Sequence, residues 1–234
     1  MPKDSEAKHH RSGSDPDKQH PTPDDLAYTA SFCEENVWHQ CQKWKEDHPE
    51  DFDRKYAVFV LTSSERTPMF NQKLCKESKA MFWTHHVLSV TCPEEGTDDP
   101  VLVWDQDTAL DFPCPFPKYC VETFKPTFNH DEALRRRYRV VPGQDYLDHF
   151  HSDRRHMKDD GGEYLSDPPE WEEIRGGNGE HNLHNYLSYE EVEHENEEEA
   201  KKYGKLFEEP EFFERFGGTK DLVELEATYN PNFK

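Results

Sequence analysis

The chain has 234 residues, a length that suits one domain or one domain with tails. With 32% hydrophobic and 33% charged residues, part of the chain is expected to be solvated tail, and a net charge of −22 argues against nucleic acid as the main partner, because phosphate binding requires a basic surface. The N-terminus has no apolar signal segment and the sequence has no apolar run of membrane-spanning length, so we expect a soluble protein that is neither secreted nor bound to a membrane.

The first two predicted segments are a disordered leader and a helix. Residues 1–26 are polar and contain several prolines, which favours disorder. A helix is predicted over residues 31–45, where apolar side chains recur at helical spacing, at Cys33, Val37, Cys41 and Trp44. Ser31 and Glu34 match a capping box, which predicts Ser31 as the N-cap. Cys33 then lies in the first helical turn, where unpaired N–H groups and the helix dipole favour a thiolate.

Four strands are predicted after this helix. They are rich in β-branched and aromatic residues and cover residues 56–63, 81–90, 101–108 and 137–142. A short helix is expected directly after Gly143, where apolar residues share one face. A helix followed by mostly hairpin-connected strands predicts an α+β fold, with an antiparallel sheet flanked by helices.

The C-terminal part is predicted to be mostly solvated. Residues 190–209 are strongly acidic, which is typical of an exposed helix or tail. The stretch "EFFERFGG" within residues 210–234 has the pattern of a short amphipathic helix that docks back on the domain. We therefore expect one folded domain at residues 27–189, preceded by the leader and followed by the acidic segment and a docking C-terminal helix and tail.

The cysteines point to a reducing compartment. There are six, namely Cys33, Cys41, Cys75, Cys92, Cys114 and Cys120. None form a CxxC pair, which argues against a zinc knuckle, and free thiols are the usual state inside cells. The three histidines of "HFHSDRRH" likewise do not predict a metal site, because no thiol or acidic cluster supports them. One cysteine therefore remains available as a nucleophile.

A register argument brings three reactive residues together. If the second and third strands pair with Val90 opposite Val101, then His86 lies opposite Asp105, with Cβ atoms about 4.5–5.5 Å apart on one face. A carboxylate at that distance can orient an imidazole through one ring nitrogen. If the 31–45 helix packs on the same face, Cys33 reaches the other nitrogen. The result is a Cys–His–Asp triad, in a chain order similar to that of papain-like and transglutaminase-like enzymes.

Each member also has a purely structural explanation. Cys33 lies on the apolar stripe of its helix, so burial in the core explains it as well. His85 and His86 should point to opposite faces of the strand, and an inward strand histidine is usually only hydrogen-bonded. Asp105 is also compatible with a turn or a surface pair. On periodicity alone the structural explanation is the stronger one.

Five ordered segments resemble the protein N-terminal glutamine amidohydrolases, a family with a Trp-Asp-Tyr-His-Val signature. They are "FCEENVW", "FWTHHV", "VWDQDTALDFPCPF", "SDRRHMKDDGGEYLSDPP" and "HNLHNYL". The resemblance covers roughly residues 28–190 and returns at "EFFERFGG". It implies a papain/transglutaminase-like cysteine hydrolase core.

Carried over by position, the resemblance assigns the nucleophile to Cys33, the general acid/base to His86 and the orienting carboxylate to Asp105. The sequence departs from the signature at Thr84 and His85, where the family usually has Asp and Tyr. Because His86 is retained, we expect the chemistry to be intact and the pocket to differ.

The implied activity is deamidation of an N-terminal glutamine to glutamate with release of ammonia, through a thioester and without a metal or organic cofactor. The partners would be proteins or peptides with a free N-terminal Gln, and the enzyme a monomer in the cytoplasm, with the nucleus also open, that acts in the N-degron arginylation pathway. Two alternatives stay open, namely a non-catalytic relative that acts as an interaction protein and a papain-like cysteine peptidase.

Recognition of an N-terminal residue requires an acidic group that binds the α-ammonium. The candidates are Glu34, Glu35, Asp107 and Asp153, and the sequence does not rank them. The capping box is an alternative explanation for Glu34, and simple solvation is one for Glu35, since acidic residues are common in this chain.

Overall fold

The computed structural model describes residues 20–75, 79–125, 131–177, 179–191 and 196–229. The predicted leader falls largely on residues 1–19, outside this range. Within the described part of it, Pro23–Asp25 forms a short 3-10 helix. The division of the chain into leader, domain and acidic segment stays a prediction.

The secondary structure consists of one long helix, several short ones and strands of two to eight residues. The strands are β1 (Lys55–Thr62), β2 (Thr67–Met69), β3 (Met81–Trp83), β4 (His86–Thr91), β5 (Leu102–Trp104), β6 (Cys114–Pro115), β7 (Arg136–Pro142), β8 (His151–Ser152), β9 (Ile174–Arg175) and β10 (Lys205–Glu208). The α-helices are α1 (Cys33–Asp47), α2 (Phe116–Tyr119), α3 (Gly143–His149), α4 (Leu183–Tyr186), α5 (Glu197–Lys202), α6 (Glu209–Gly217) and α7 (Leu222–Tyr229). Short 3-10 helices cover Pro49–Arg54, Glu132–Leu134 and Arg155–Met157, and a π-helical turn covers Cys120–Phe124.

Six strands form the central sheet, in the order β10-β7-β1-β4-β5-β6. Its neighbouring strands pair antiparallel, as the sequence predicts. Two small antiparallel pairs, β2-β3 and β8-β9, lie beside it. The fold is therefore mixed α and β, with a mostly antiparallel sheet.

Both faces of the sheet are covered by helices. On β1, Ala57 and Phe59 belong to the core that holds α1 and α3, whereas Val58 and Val60 belong to the core that holds α2 and α6. Because side chains alternate along a strand, burial on both faces explains the nearly continuous apolar run of β1. In the described residues, no helix combines the length and the apolar character that a membrane crossing requires.

The helices predicted at residues 31–45 and at "EFFERFGG" are present as α1 and α6, but the predicted capping box of α1 is not. The whole predicted stripe of α1, namely Cys33, Val37, Cys41 and Trp44, packs in the core. Ser31 is not the N-cap, because that position belongs to Phe32 and no side chain caps it. At the other end, Phe212, Phe213 and Phe216 of α6 are buried in the second core. Within the acidic segment, residues 205–208 form the edge strand β10 against β7.

The predicted strand 81–90 is divided into two. Thr84 and His85 separate β3, which pairs with β2, from β4, which lies in the central sheet. The predicted strand 101–108 is shorter in the structure, since β5 ends at Trp104. The prediction that His85 and His86 point to opposite faces is wrong, because His85 lies outside the strand and both imidazoles contact Cys33.

The predicted register of the β4-β5 pair is wrong by two residues. Val90 lies opposite Val103 and not opposite Val101. Since side chains repeat every two residues, a shift of two keeps His86 and Asp105 on the same face, as diagonal instead of direct neighbours. Their predicted contact therefore survives the error.

Helix α1 also packs on a different face from the predicted one. Gln40 of α1 accepts a hydrogen bond from Ser89 Oγ at 2.8 Å and donates one to Gln106 at 2.8 Å. Ser89 is on the face of β4 opposite to that of His86, by strand alternation. Cys33 nevertheless meets His86, because the first residue of α1 lies beside the first residue of β4.

A buried lysine begins β1 and makes the stability of the fold depend on pH. Lys55 is only 1% exposed, and its Nζ lies 4.5 Å from the ring centroid of Trp44 and 4.6 Å from that of Trp104. Burial lowers the pKa of Lys55 from 10.5 to about 7, against a smaller opposing effect of Cys41. Between pH 7 and 10.5 the unfolded chain therefore binds more protons at this position than the folded chain.

Stability should consequently rise with pH over that window, by at most about 1.4 kcal/mol per pH unit from this group. We expect a Lys55→Met variant to gain a few kcal/mol over the wild type near pH 7 and to lose most of that gain by pH 10. Urea unfolding of both proteins at several pH values measures this difference. His20 and Cys41 face Lys55 and also titrate, but they are present in both proteins, so the difference between the two proteins reports on Lys55. A difference that stays constant from pH 7 to 10 would contradict the assignment.

Candidate active site

The first turn of α1 carries three consecutive buried polar residues after the cysteine. Cys33 is 9% exposed, and Glu34, Glu35 and Asn36 are at most 2% exposed. Asn36 accepts a hydrogen bond from the backbone N–H of Thr29 at 2.8 Å and donates to its carbonyl oxygen at 2.9 Å. Because buried polar groups are costly unless they are paired, these contacts fix where the helix begins and hence where Cys33 lies.

His86 is held against Asp105. His86 is fully buried, and its Nε2 lies 2.9 Å from Asp105 Oδ1. The ring stacks on Trp83 with 5.4 Å between centroids. The second nitrogen, Nδ1, is buried without a hydrogen bond of normal geometry to a described residue, and Cys33 is close enough to raise the pKa of the imidazole. The three residues predicted to form a triad therefore meet.

Asp105 is surrounded by hydrogen-bond donors. Its Oδ2 accepts from the hydroxyl of Tyr119 at 2.7 Å and from Gln72 Nε2 at 3.3 Å. Its Oδ1 accepts from the backbone N–H of Asp107 at 2.9 Å in addition to the contact with His86. Such donors stabilise the charged carboxylate and fix the orientation of the histidine that it binds.

The electrostatics of the pair favour charge separation. Burial lowers the pKa of His86, but Asp105 and Cys33 outweigh it and hold that pKa well above the ordinary value. Burial raises the pKa of Asp105, but His86 and Tyr119 outweigh it, so that pKa is lowered. The geometry therefore supports an imidazolium between a carboxylate and a sulfur atom, which is the arrangement that activates a thiol as a nucleophile.

A second histidine lies beside the cysteine. His85 Nε2 lies 3.9 Å from Glu34 Oε2, and this oxygen lies 3.6 Å from Cys33 Sγ. Glu34 Oε1 lies 3.0 Å from Nε2 of His156. Against burial, Cys33 and Glu34 raise the pKa of His85 to about 10, and His156 and His85 lower the pKa of Glu34 to about 2.

The candidate carboxylates differ in their partners. Glu35 is occupied by Arg154, with contacts of 2.9 and 3.0 Å, and by the indole N–H of Trp171 at 2.8 Å. Asp153 is paired with Arg155 and lies 3.2 Å from Nδ1 of His181. Glu35 and Asp153 are thus already paired with side chains of the protein itself.

Asp107 lies next to the catalytic pair of His86 and Asp105. A carboxylate oxygen of Asp107 is within 4.8 Å of ligand atoms of His86 and Asp105. Asp107 is 5% exposed, and its Oδ1 accepts a hydrogen bond from the hydroxyl of Tyr28 at 2.6 Å. Tyr28 is itself 42% exposed, so this carboxylate is reached from the surface past a tyrosine.

Several residues at the site were not identified from the sequence. No periodic pattern or motif relates these residues to Cys33; they are Tyr119, Gln72, His156 and Arg154. The only hint for the last two is the segment "SDRRHMKD", which contains both. The contacts of Arg154 and His156 with the first turn of α1 join residues more than one hundred positions apart, which a single sequence does not reveal.

Comparison with known proteins identifies the family. The sequence model of the N-terminal glutamine amidase family matches residues 28–216. The chain belongs to this family. The matched region contains the entire cluster around Cys33, His86 and Asp105, and α6 up to Phe216.

Proteins named protein N-terminal glutamine amidohydrolase are similar over most of the chain. The zebrafish (Danio rerio) protein is 30% identical over 197 residues, which covers 84% of this chain and 92% of that protein. The bovine (Bos taurus) protein is 31% identical over 196 residues, covering 84% and 89%. The Drosophila melanogaster protein is 36% identical over 172 residues, covering 71% and 80%.

The adjacent arginines 154 and 155 allow a matched test of the buried ion pair. Arg154 is 5% exposed and its partner Glu35 is 0% exposed, whereas the Arg155 side chain is 69% exposed. Replacing Arg154 by Met leaves a buried carboxylate without its cation. We expect the free energy of unfolding to fall by about 3–5 kcal/mol. For Arg155→Met we expect a much smaller loss, because an exposed ion pair contributes little to stability, and urea denaturation measures both variants. Equal losses would show that the buried ion pair of Arg154 with Glu35 contributes no more to stability than the exposed pair of Arg155 with Asp153.

Proposed function

We propose that this protein hydrolyses the side-chain amide of an N-terminal glutamine to glutamate and ammonia, with Cys33 as nucleophile, His86 as general acid/base and Asp105 as orienting carboxylate. The single observation that carries the proposal is the buried pair His86–Asp105, 2.9 Å apart, in contact with a cysteine at the first position of a helix. Membership of the N-terminal glutamine amidase family and the names of the relatives support the choice of substrate.

The first half of the reaction forms a thioester. The Cys33 thiolate attacks the side-chain carbonyl carbon of glutamine, and the carbonyl oxygen becomes an oxyanion. His86 then gives its proton to the departing nitrogen, which leaves as ammonia when the C–N bond breaks. A γ-glutamyl thioester on Cys33 remains. Asp105 holds the imidazole in the tautomer and orientation that both steps require.

The second half restores the thiolate. His86, now neutral, takes a proton from water, and the hydroxide attacks the thioester carbon. The C–S bond breaks, glutamate leaves and the thiolate–imidazolium pair is regenerated. These steps use water and side chains of this chain, and no step calls for a metal or an organic cofactor.

The oxyanion needs fixed hydrogen-bond donors. The backbone N–H of Cys33 is at the first position of α1, where N–H groups have no partner within the helix. A preorganised donor of this kind typically contributes about 2.7–4 kcal/mol to the transition state. The helix dipole adds a favourable field for the same negative charge.

We propose a papain/transglutaminase-like core for residues 27–189. Support comes from a cysteine at the start of a helix, a histidine at the start of an antiparallel strand and an aspartate just after the neighbouring strand, in that chain order. We propose that the docked α6 completes this catalytic domain, since its phenylalanines pack in the second core.

For the α-ammonium of the substrate we propose Asp107 as the binding carboxylate. Of the four predicted candidates, Glu35 and Asp153 are engaged by arginines, and Glu34 is engaged by His156. Asp107 lies beside the catalytic pair and under the partly exposed Tyr28. Rejection of asparagine follows from reach, since a side chain one methylene shorter holds its carbonyl away from the sulfur when the α-ammonium is fixed.

The proposed setting is the cytoplasm, with the nucleus also open, where the new N-terminal glutamate would pass to arginylation and degradation. The cysteines of the described residues are free thiols, which fits a reducing compartment. We propose that the enzyme acts as a monomer on proteins and peptides with a free N-terminal Gln.

The decisive test is ammonia release from a short peptide that begins with Gln. We expect release from the free-amine peptide, little or none from its N-acetylated form, and none with a Cys33→Ala variant. Cys41→Ala is the matched control, because Cys41 lies on the same helix in the core and takes no part in the reaction.

Other outcomes point to the alternatives. Cleavage of the peptide bond without ammonia would favour a cysteine peptidase. Absence of both reactions under reducing conditions would favour a non-catalytic interaction protein, with Thr84 and His85 as the departures responsible.

A second test concerns Asp107. Asp107→Asn keeps the hydrogen bond with Tyr28 feasible but removes the charge that would face the α-ammonium. We expect the KM for a Gln-initiated peptide to rise by about 10-fold or more, with a smaller change in kcat, since a lost uniform binding contact appears in KM. Asp153→Asn is the control and should leave KM close to that of the wild type. An unchanged KM in Asp107→Asn would assign the α-ammonium to another group.

A further inference from the structure

Three potential metal ligands surround one point at the start of α1. They are Sγ of Cys33, a carboxylate oxygen of Glu34 and a ring nitrogen of His85, and these atoms lie within 4.8 Å of one another. Thiolate, imidazole and carboxylate are the three ligand types that zinc uses in proteins.

The spacing of the atoms fits a tetrahedral site. With bond lengths of about 2.3 Å to sulfur and 2.0 Å to nitrogen or oxygen, tetrahedral ligands lie about 3.5 Å apart for sulfur and oxygen and about 3.3 Å apart for nitrogen and oxygen. In the structure, Cys33 Sγ lies 3.6 Å from Glu34 Oε2, and this oxygen lies 3.9 Å from His85 Nε2. The sulfur–oxygen distance already fits a tetrahedral site, and the nitrogen–oxygen distance reaches the tetrahedral value with a shift of about 0.6 Å.

The ring nitrogens of His85 are not satisfied by hydrogen bonds. Both of its ring nitrogens are buried, and neither makes a hydrogen bond of normal geometry to a described residue. Buried polar atoms of this kind are uncommon in native proteins and call for an explanation such as an ion. A metal bound to Nε2 would satisfy the nitrogen that faces Glu34.

The outer contacts also match a metal site. Glu34 Oε1, the oxygen that points away from the cysteine, lies 3.0 Å from Nε2 of His156. A ligating carboxylate is typically held by a hydrogen bond on its free oxygen, which fixes its orientation. A thiolate and a carboxylate together carry the two negative charges that balance a divalent cation.

We propose that Cys33, Glu34 and His85 form a Zn²⁺ site, with a water molecule as fourth ligand, and that the bound metal reversibly blocks Cys33. Binding forms bonds from the metal to the Cys33 thiolate, to a Glu34 carboxylate oxygen and to a His85 ring nitrogen, and it releases the proton of the His85 imidazolium to solvent. No oxidation or reduction is involved. The binding itself stands on the geometry, while inhibition of deamidation rests on the proposed function.

The first test is a titration of the full, reduced chain with Co²⁺, whose bond to a thiolate gives a charge-transfer absorption, followed by displacement with Zn²⁺. We expect one metal ion to bind through Cys33, with the absorption lost in Cys33→Ser. We expect His85→Tyr, which removes the nitrogen ligand, to weaken binding at least 10-fold. His184→Tyr is the matched control and should bind as the wild type does, because His184 is exposed and belongs to none of the clusters of described residues that could hold a metal ion.

Three results would overturn the proposal, and the first of them requires only the wild type. Absence of the thiolate absorption in the wild type, its persistence in Cys33→Ser or equal affinities of wild type and His85→Tyr would each refute the site. His85→Gln replaces His85→Tyr if circular dichroism shows that the tyrosine variant is unfolded.

An activity measurement separates this proposal from the proposed function. Zn²⁺ should suppress ammonia release from a Gln-initiated peptide, a chelator should restore it, and in His85→Tyr any remaining activity should require at least 10-fold more Zn²⁺ for half suppression. Metal binding without ammonia release in the metal-free wild type would refute the activity and leave the site standing. Ammonia release without metal binding would refute the site and leave the activity standing.

Discussion

The burial of Glu34, Glu35 and Asn36 in a single helical turn is the constraint on which the rest of the site depends. Each of these polar side chains has a different partner, namely His156, Arg154 and the backbone of Thr29. An unpaired carboxylate in this position would cost several kcal/mol, so the turn is stable only where all these partners are present. The position of Cys33 therefore results from its neighbours in sequence more than from its own packing.

The sheet supplies the other half of the site through its ends. His86 begins β4, and Asp105 follows directly after β5, so both side chains lie at the margin of a rigid antiparallel sheet. Tyr119 comes from the short helix after β6 and holds the second oxygen of Asp105. Placing the reactive groups at the ends of strands brings them to the start of α1, while the backbone behind them is fixed by strand pairing.

Thr84 and His85 form the break between β3 and β4. Thr84 and His85 are outside both strands, so their identity does not affect the pairing that fixes His86. His85 instead faces Cys33 and Glu34 and changes the charge around the sulfur. Variation at this position can thus alter the chemistry of the pocket without disturbing the sheet.

The sequence by itself determined the long helix and the two apolar strands at residues 56–63 and 137–142, because helical periodicity and strand alternation depend only on the residues that form these elements. The contact of His86 with Asp105 survived a register error, since a shift of two residues preserves the face of a strand. Only the tertiary structure decided which face α1 covers, that Ser31 does not cap it, and that Glu35 is bound by Arg154. These outcomes depend on contacts between distant segments, whose energies are set by burial and partner geometry instead of by neighbours along the chain.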